Sequence, residues 1–142
     1  MSTAREILRN KGNAVWSIEP EDSILKAIEK MAEKEIGALL VMQSSKLVGI
    51  ITERDYVRKV ALEGRSSRDS QVKDIMSVNV LCAQANHSVQ ECMAMMSQKR
   101  ARHLPVIENQ EIIGVVSIGD LVKDIINEQR NEIESLQYYI NH

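Results

Sequence analysis

Two stretches of the chain each carry a hydroxyl residue followed three positions later by an aspartate. The first is GIITERD at Gly49–Asp55 and the second is GVVSIGD at Gly114–Asp120, and we call them the first and the second junction. At the start of a helix this spacing forms a capping box, in which the hydroxyl and the carboxylate each accept a backbone N–H. We therefore expect a helix to begin after Thr52 and after Ser117.

The same groups have the chemistry to bind a nucleotide. A helix N-terminus presents free N–H groups and the positive end of a dipole, which suit a phosphate, and a hydroxyl adds one more donor. A carboxylate at neutral pH only accepts hydrogen bonds, so Asp55 and Asp120 suit the two hydroxyls of a ribose. Capping and ligand binding are compatible, and the junctions are candidates for both.

Catalysis is not indicated by the residues. His103 has no nucleophile or acid partner in a recognisable order, and Cys82 and Cys92 have neither CxxC spacing nor clustered histidines. The chain is therefore predicted not to be an enzyme and to require no metal. Its two cysteines are interpreted as reduced thiols that are at least partly buried.

Composition narrows the class of protein. The 142 residues carry a net charge of −2, with 44% apolar and 3% aromatic residues, no Phe and one Trp. The core must be aliphatic, and no broad basic field is present to bind nucleic acid or an anionic membrane. No apolar run approaches the roughly 20 residues that span a bilayer, and the N-terminus lacks the pattern of a signal peptide. We expect a cytoplasmic protein.

The junctions belong to a longer internal duplication. A shift of 65 residues aligns the sequence with itself without a gap from Trp16 to Ile126, and the matched pairs include Ser23 with Ser88, Met31 with Met96 and Leu39 with Leu104. A repeat of this period is typical of one supersecondary unit that buries its apolar face against its twin.

Each copy predicts the element order β-α-β-β-α, so the expected fold class is α+β. A short extended piece, Val15–Ile18 or Val80–Cys82, leads to a helix with apolar residues at helical spacing, and two β-rich runs joined by a polar turn then form a hairpin. The domain boundaries that follow are repeat 1 at 1–66, a linker at 67–73, repeat 2 at 74–128 and a C-terminal helical extension at 129–142.

The C-terminal extension has no counterpart in the first copy. Ile133, Leu136 and Ile140 recur there at roughly helical spacing. They could pack on their own domain or form a dimerisation surface, and the sequence favours neither.

The chain resembles the tandem cystathionine β-synthase (CBS) domain pair. It contains two β-α-β-β-α copies, and the junction in each copy consists of Gly, two apolar residues, Thr or Ser, two further residues and Asp. The resemblance covers roughly Ala4 to Ile126 and is to pairs that stand alone, not to those attached to enzymes, channels or transporters. It implies two repeats packed with pseudo-twofold symmetry. It also implies two clefts between them for adenosine ligands such as AMP, ADP, ATP, NAD or S-adenosylmethionine.

The resemblance further implies which residues line each cleft. The hydroxyl contacts phosphate and the aspartate contacts ribose, while adenine lies between aliphatic side chains. One cleft would combine the first junction with residues of the other copy: Thr52, Asp55, Val80, Cys82, Arg102 and His103. The other would combine the second junction in the same way: Ser117, Asp120, Val15, Ile18, Gly37 and Ala38.

The two clefts would differ in charge. Arg54 lies inside the first junction with Arg102 as an expected neighbour, whereas the second junction contains Ile118 and Gly119. Arginine binds phosphate oxygens bidentately and strongly. We expect the first cleft to prefer a larger or more highly phosphorylated nucleotide, and the second to take a mononucleotide or stay empty.

The expected function is regulatory. An adenine nucleotide, AMP ahead of ADP, ATP or NAD, would change the conformation of a homodimer or of an unidentified protein that it regulates. The alternative is a structural dimer without a ligand that acts through the C-terminal helix.

Overall fold

The computed structural model describes residues 2–12 and 14–141, and the chain divides into two compact units. The first-repeat unit is the continuous segment Val15–Val80, which contains the first junction. The second-repeat unit combines Met1–Ala14 with Leu81–His142 and contains the second junction. Helix α1 (Ala4–Lys11) therefore precedes the first repeat in sequence but packs with the second.

The first-repeat unit is built on a three-stranded sheet. The strand order is β1 (Ser17–Ile18), β2 (Ala38–Gln43) and β3 (Lys46–Thr52). β1 is parallel to β2, and β2 and β3 form an antiparallel hairpin. The helices are α2 (Ile24–Lys34), α3 (Glu53–Tyr56), a π-helix at Val57–Ala61 and a 3-10 helix at Val72–Asp74.

The second-repeat unit has the same sheet topology. Its strands are β4 (Ala83–Gln84), β5 (His103–Glu108) and β6 (Glu111–Ser117), again with one parallel and one antiparallel pair. Besides α1 it contains α4 (Val89–Lys99) and α5 (Ile118–Asn141). The prediction of an α+β fold with a repeated β-α-β-β-α order is confirmed.

Local chemistry explains the hairpins. Both two-residue turns have positive φ angles, 51° and 64° at Ser44 and Ser45, and 52° and 67° at Asn109 and Gln110. Two left-handed residues in succession give a turn whose twist matches that of the strands it joins. The turns fix the register that places Thr52 and Ser117 at the ends of their strands, opposite the first residues of β2 and β5.

Each unit has an aliphatic core, as the composition predicted. In the first-repeat unit the largest fully buried side chains include Ile24, Leu39 and Ile51, and in the second they include Leu104 and Leu121. α4 begins with a complete capping box between Ser88 and Glu91, also as predicted. Neither Cys82 nor Cys92 is in a disulfide, and Cys92 is buried in the second core.

Two local expectations require correction. The extended piece of the second copy is Ala83–Gln84, not Val80–Cys82, because Ala83 is the residue that pairs with Val106 and is fully buried. In the first copy only Ser17–Ile18 of the predicted Val15–Ile18 forms a strand.

The C-terminal extension continues α5 as one helix to Asn141. Ile133 and Ile140 are 54% and 82% exposed, so this part of the helix does not pack on its own domain. Within the described part of the chain, no helix is both long and apolar enough to cross a membrane.

Candidate functional site

The first junction is a complete capping box at the start of α3. Thr52 Oγ1 accepts the N–H of Asp55 at 3.1 Å, and Asp55 Oδ2 accepts the N–H of Thr52 at 3.0 Å. The Thr52 hydroxyl also lies 3.1 Å from Asp55 Oδ2, to which it donates. The carboxylate is thereby fixed against the helix start with Oδ1 turned to other partners.

The second junction has the same geometry at the start of α5. Ser117 Oγ accepts the N–H of Asp120 at 3.2 Å, and Asp120 Oδ2 accepts the N–H of Ser117 at 2.8 Å. The capping predicted for both junctions is therefore confirmed. Each junction places a hydroxyl and a carboxylate within one turn of a helix N-terminus.

The start of β2 lies beside the first junction. Ala38 pairs with Thr52 across the hairpin, and the carbonyl of Gly37 accepts the N–H of Glu53 at 3.0 Å. The capping box uses the N–H of the third helical residue, so the N–H of Arg54 is the first-turn donor that neither bond engages. The Arg54 side chain itself is exposed.

The start of β5 lies beside the second junction in the same way. His103 pairs with Ser117, and the carbonyl of Arg102 accepts the N–H of Ile118 at 2.9 Å. Gly119 supplies the first-turn N–H that these bonds leave. Gly37, Ala38, Arg102 and His103 are thus each placed next to the junction of their own repeat.

Each junction aspartate has a lysine partner, and the two partners come from different elements. Lys59, one turn along the helix from Asp55, lies 3.4 Å from its Oδ1 and donates to the carbonyl of Ile75 at 2.9 Å. Lys11 at the end of α1 lies 2.6 Å from Asp120 Oδ2. The first pair is local in sequence, whereas the second joins the two chain segments that make up the second-repeat unit.

Charges around the second junction shift two pKa values. Burial opposes ionisation of Asp120, but hydrogen bonds from Lys11 and Ser117 outweigh it and hold the pKa of Asp120 below its usual value. Burial lowers the pKa of His103, and the nearby charge of Lys11 lowers it further, against the opposing effect of Asp120. Both lowering effects favour the neutral imidazole of His103, which has one donor and one acceptor.

The remaining predicted residues are spread along both units. Val15 is exposed, Ile18 lies in the core of the first-repeat unit, and Val80 and Cys82 are half-buried. Burial raises the pKa of the Cys82 thiol, which keeps it protonated. The assignment of these residues to two clefts stays a prediction. Among residues 2–12 and 14–141, no group of three or more His, Cys, Asp or Glu side chains could hold a metal ion.

Lys11 was missed because it lies before the span that repeats at constant spacing. A signal was nevertheless present. AREIL at Ala4–Leu8 resembles VKDIM at Val72–Met76, and the connection from Leu8 to the first repeat is three residues longer than the one from Met76 to the second. Lys11 lies in the longer of these two connections.

Comparisons with known proteins agree with this architecture. The family model of the CBS domain matches residues 3–62 and 72–127. The mitochondrial CBS domain-containing protein CBSX3 of Arabidopsis thaliana is 36% identical over 149 residues, covering 98% of this chain and 72% of the relative.

Solved structures show the same fold. A protein with CBS domains from Burkholderia ambifaria MC40-6 is 44% identical with a TM-score of 0.86, covering 90% of this chain and 96% of that one. The CBS domain pair of protein MJ0100, in complex with 5′-methylthioadenosine and S-adenosyl-L-methionine, has a TM-score of 0.78 at 22% identity, covering 90% and 98%. The chain therefore belongs to the CBS domain family, as a tandem pair of repeats.

Proposed function

We propose that this CBS pair is a regulatory module that binds an adenine nucleotide, with AMP as the first candidate ahead of ADP, ATP and NAD. The observation that carries the proposal is the duplicated junction, in which a hydroxyl, a carboxylate and a first-turn N–H converge twice. CBS pairs are regulatory modules that often bind adenosine ligands, and the MJ0100 pair holds two ligands of this class.

The proposed contacts follow from donor and acceptor chemistry. The Ser117 hydroxyl and the N–H groups of Arg54 and Gly119 donate to phosphate oxygens. The Thr52 hydroxyl does the same once it turns away from Asp55 Oδ2, to which it donates in this structure. The carboxylate oxygen outside each capping box, Oδ1, accepts from the ribose hydroxyls, and at Asp55 it does so beside Lys59. The family resemblance supplies the rest of each cleft, from this set: Val15, Ile18, Gly37, Ala38, Val80, Cys82, Arg102 and His103.

The proposed role is regulatory, not catalytic. A nucleotide that binds one arrangement of the module more tightly than another shifts the population between them, and its difference in affinity sets the size of that shift. The arrangement would be read by a second copy of the chain or by a regulated protein. Pure protein is therefore expected to bind ATP and NAD without converting them, which chromatography of the incubated nucleotides checks.

Isothermal titration with AMP, ADP, ATP and NAD tests the binding. A ligand present at about one hundred times its Kd should also stabilise the fold by about 2.7 kcal/mol. Asp55→Asn and Asp120→Asn should each weaken one site. Glu91→Gln is the matched control because Glu91 occupies the same capping-box position on α4, away from the junctions. Absence of binding by all four nucleotides, or equal losses in all three variants, would contradict the proposal.

The exposed face of α5 favours a second function, assembly with another copy of the chain. Its exposed apolar residues recur at intervals of three, four and seven: Val122, Ile126, Ile133, Leu136 and Ile140. This spacing is typical of a coiled-coil seam, with Ile126, Ile133 and Ile140 at a positions and Leu136 at a d position, and Ile at a with Leu at d favours two parallel strands. A shallow groove of about 490 Å³ follows the first part of the seam. We propose a homodimer joined along this face.

Sedimentation equilibrium tests the dimer. Leu136→Glu places a charge in the seam and should give a monomer, whereas Asn131→Glu, on the opposite side of the heptad, should leave the dimer intact. A wild-type monomer at micromolar concentration, or a dimer that survives Leu136→Glu, would rule out this interface.

A further inference from the structure

Helix α1 supplies a charged side chain to the second junction. The helix is tied to the second-repeat unit by the N–H groups of Ala4 and Arg5, which donate to the carbonyls of His87 and Ala85 at 2.9 and 3.0 Å. Its apolar side is buried in the core of that unit. This anchoring holds Lys11, the last residue of α1, beside the junction.

Lys11 has one donor left after its contacts with the residues that the structure describes. Its Nζ lies 2.6 Å from Asp120 Oδ2 and 2.8 Å from the carbonyl oxygen of Val115. An ammonium group has three N–H donors, and these contacts use two. The side chain is 38% exposed. A cation with a spare donor therefore stands next to the carboxylate that we propose binds ribose.

A small cleft opens between α1 and α5 at the same place. Its volume is about 120 Å³, and its lining residues include Lys11, Lys123, Asp120 and Asp124. Oδ2 of Asp124 is buried and accepts no hydrogen bond from the residues that the structure describes. The lining thus offers donors to an anion and acceptors to hydroxyl groups. A ribose phosphate presents the complementary set.

We propose that Lys11 is a specificity residue of the second junction, where its free N–H binds the phosphate of a nucleotide whose ribose is bound by Asp120. This inference rests on the proposed function and adds to it a preference for a phosphorylated nucleoside over a neutral one.

The test compares AMP with adenosine by isothermal titration on the full chain. An Asp55→Asn parent removes the charge and one of the two acceptor oxygens at the first junction and so weakens ribose binding there, which lets binding at the second be measured. In this parent, Lys11→Ala should lower AMP affinity by about tenfold, the loss of one partly exposed charged hydrogen bond. Adenosine affinity should change less than about twofold, and Lys11→Arg should retain most of the AMP affinity. Lys26→Ala, which removes another ion-paired surface lysine, is the control.

The ratio of AMP to adenosine affinity decides the outcome, because damage to the fold would lower both. Lys11→Gln, which keeps donors but removes the charge, should reproduce the selective loss and guards against misfolding of the alanine variant. Equal losses for both ligands, or tighter binding of both, would overturn the inference while leaving the proposed function in place. A parent that binds neither ligand would overturn the inference, and a wild-type chain that also binds none of the four nucleotides would overturn the proposed function as well.

Discussion

The two repeats build the same junction but cover it with different parts of the chain. A Cβ added at Gly49 would lie 2.7 Å from the sulfur of Met76 and 2.8 Å from the carbonyl oxygen of Ser77, whereas one added at Gly114 would lie 2.7 Å from a methyl carbon of Leu8. Side chain and backbone cover the first junction, and a side chain alone covers the second.

The covering segments are themselves related. Met76 ends VKDIM and Leu8 ends AREIL, and each segment packs in the unit of the repeat that it does not directly precede. The duplicated element is therefore larger than the span Trp16–Ile126 that aligns with itself at a shift of 65 residues. It consists of a junction and the segment that packs against its glycine, and the two copies differ in how that segment is held.

Truncation of the side chains that pack against the two junction glycines, Leu8 and Met76, should give the largest difference in stability between the units. Leu8 is 4% exposed, so Leu8→Ala should lower the free energy of unfolding by about 3 kcal/mol, the usual cost of a cavity at a buried leucine. Met76 is only partly buried, so Met76→Ala should cost about 1 kcal/mol. Urea unfolding followed by circular dichroism measures both, and a larger loss for Met76→Ala would break the comparison.

Substitution of the two junction glycines by alanine should show whether a backbone atom or a side chain packs against each of them. Gly49→Ala should cost about 2 kcal/mol by overpacking, and Gly114→Ala should cost less because the end of a leucine side chain can move. Leu8→Ala should relieve the Gly114→Ala clash, whereas Met76→Ala should not rescue Gly49→Ala, since the Ser77 carbonyl remains. Double-mutant cycles measure the two couplings, and equal couplings would contradict this account.

The Lys11–Asp120 pair should make the second junction sensitive to acid. The folded-state pKa of Asp120 is lowered, so its stabilisation is complete above the unfolded value of about 3.9 and is lost as pH falls through the lower folded value. Asp120→Asn should therefore cost about 1 kcal/mol at pH 7, and progressively less as the pH falls below about 4. Urea titrations across this range measure it. A difference that grows in acid, or that Lys11→Ala leaves unchanged, would contradict the assigned cause.

The smallest effect on stability is expected at the first junction. Arg54 is exposed, so Arg54→Ala should change the free energy of unfolding by less than about 0.5 kcal/mol. It should nevertheless weaken ATP more than AMP at the first site, because an arginine contact grows in value with phosphate charge. Isothermal titration measures this selectivity, and an equal loss at both sites would remove the expected asymmetry in charge.

The sequence predicted those parts of the fold that short-range chemistry determines. The hairpins follow from polar two-residue turns between β-rich runs, and the capping boxes follow from a hydroxyl three residues before an acid. The strand β4 was misplaced because two residues carry no periodicity. Its position depends on the pairing of Ala83 with Val106 in another part of the chain.

The sequence predicted the capping residues that occur in both junctions, but it did not predict the lysine partner of Asp120. Thr52, Asp55, Ser117 and Asp120 stand out because the chain contains them twice at the same spacing. Lys11 and Asp120 are 109 residues apart, and no local pattern reports a contact at that separation. Lys11 is recognised as the partner of Asp120 only once the structure shows that α1 packs in the second-repeat unit.

The split composition of the second-repeat unit has a consequence for how the protein is made. All residues of the first-repeat unit leave the ribosome in one uninterrupted run, and that unit can fold while translation continues. Helix α1 is synthesised before the first-repeat unit, yet the residues that bury its apolar face, from β4 to α5, all emerge after that unit. During that interval the apolar face of α1 is exposed on the nascent chain. If a chaperone binds the nascent chain, we expect it to bind this face.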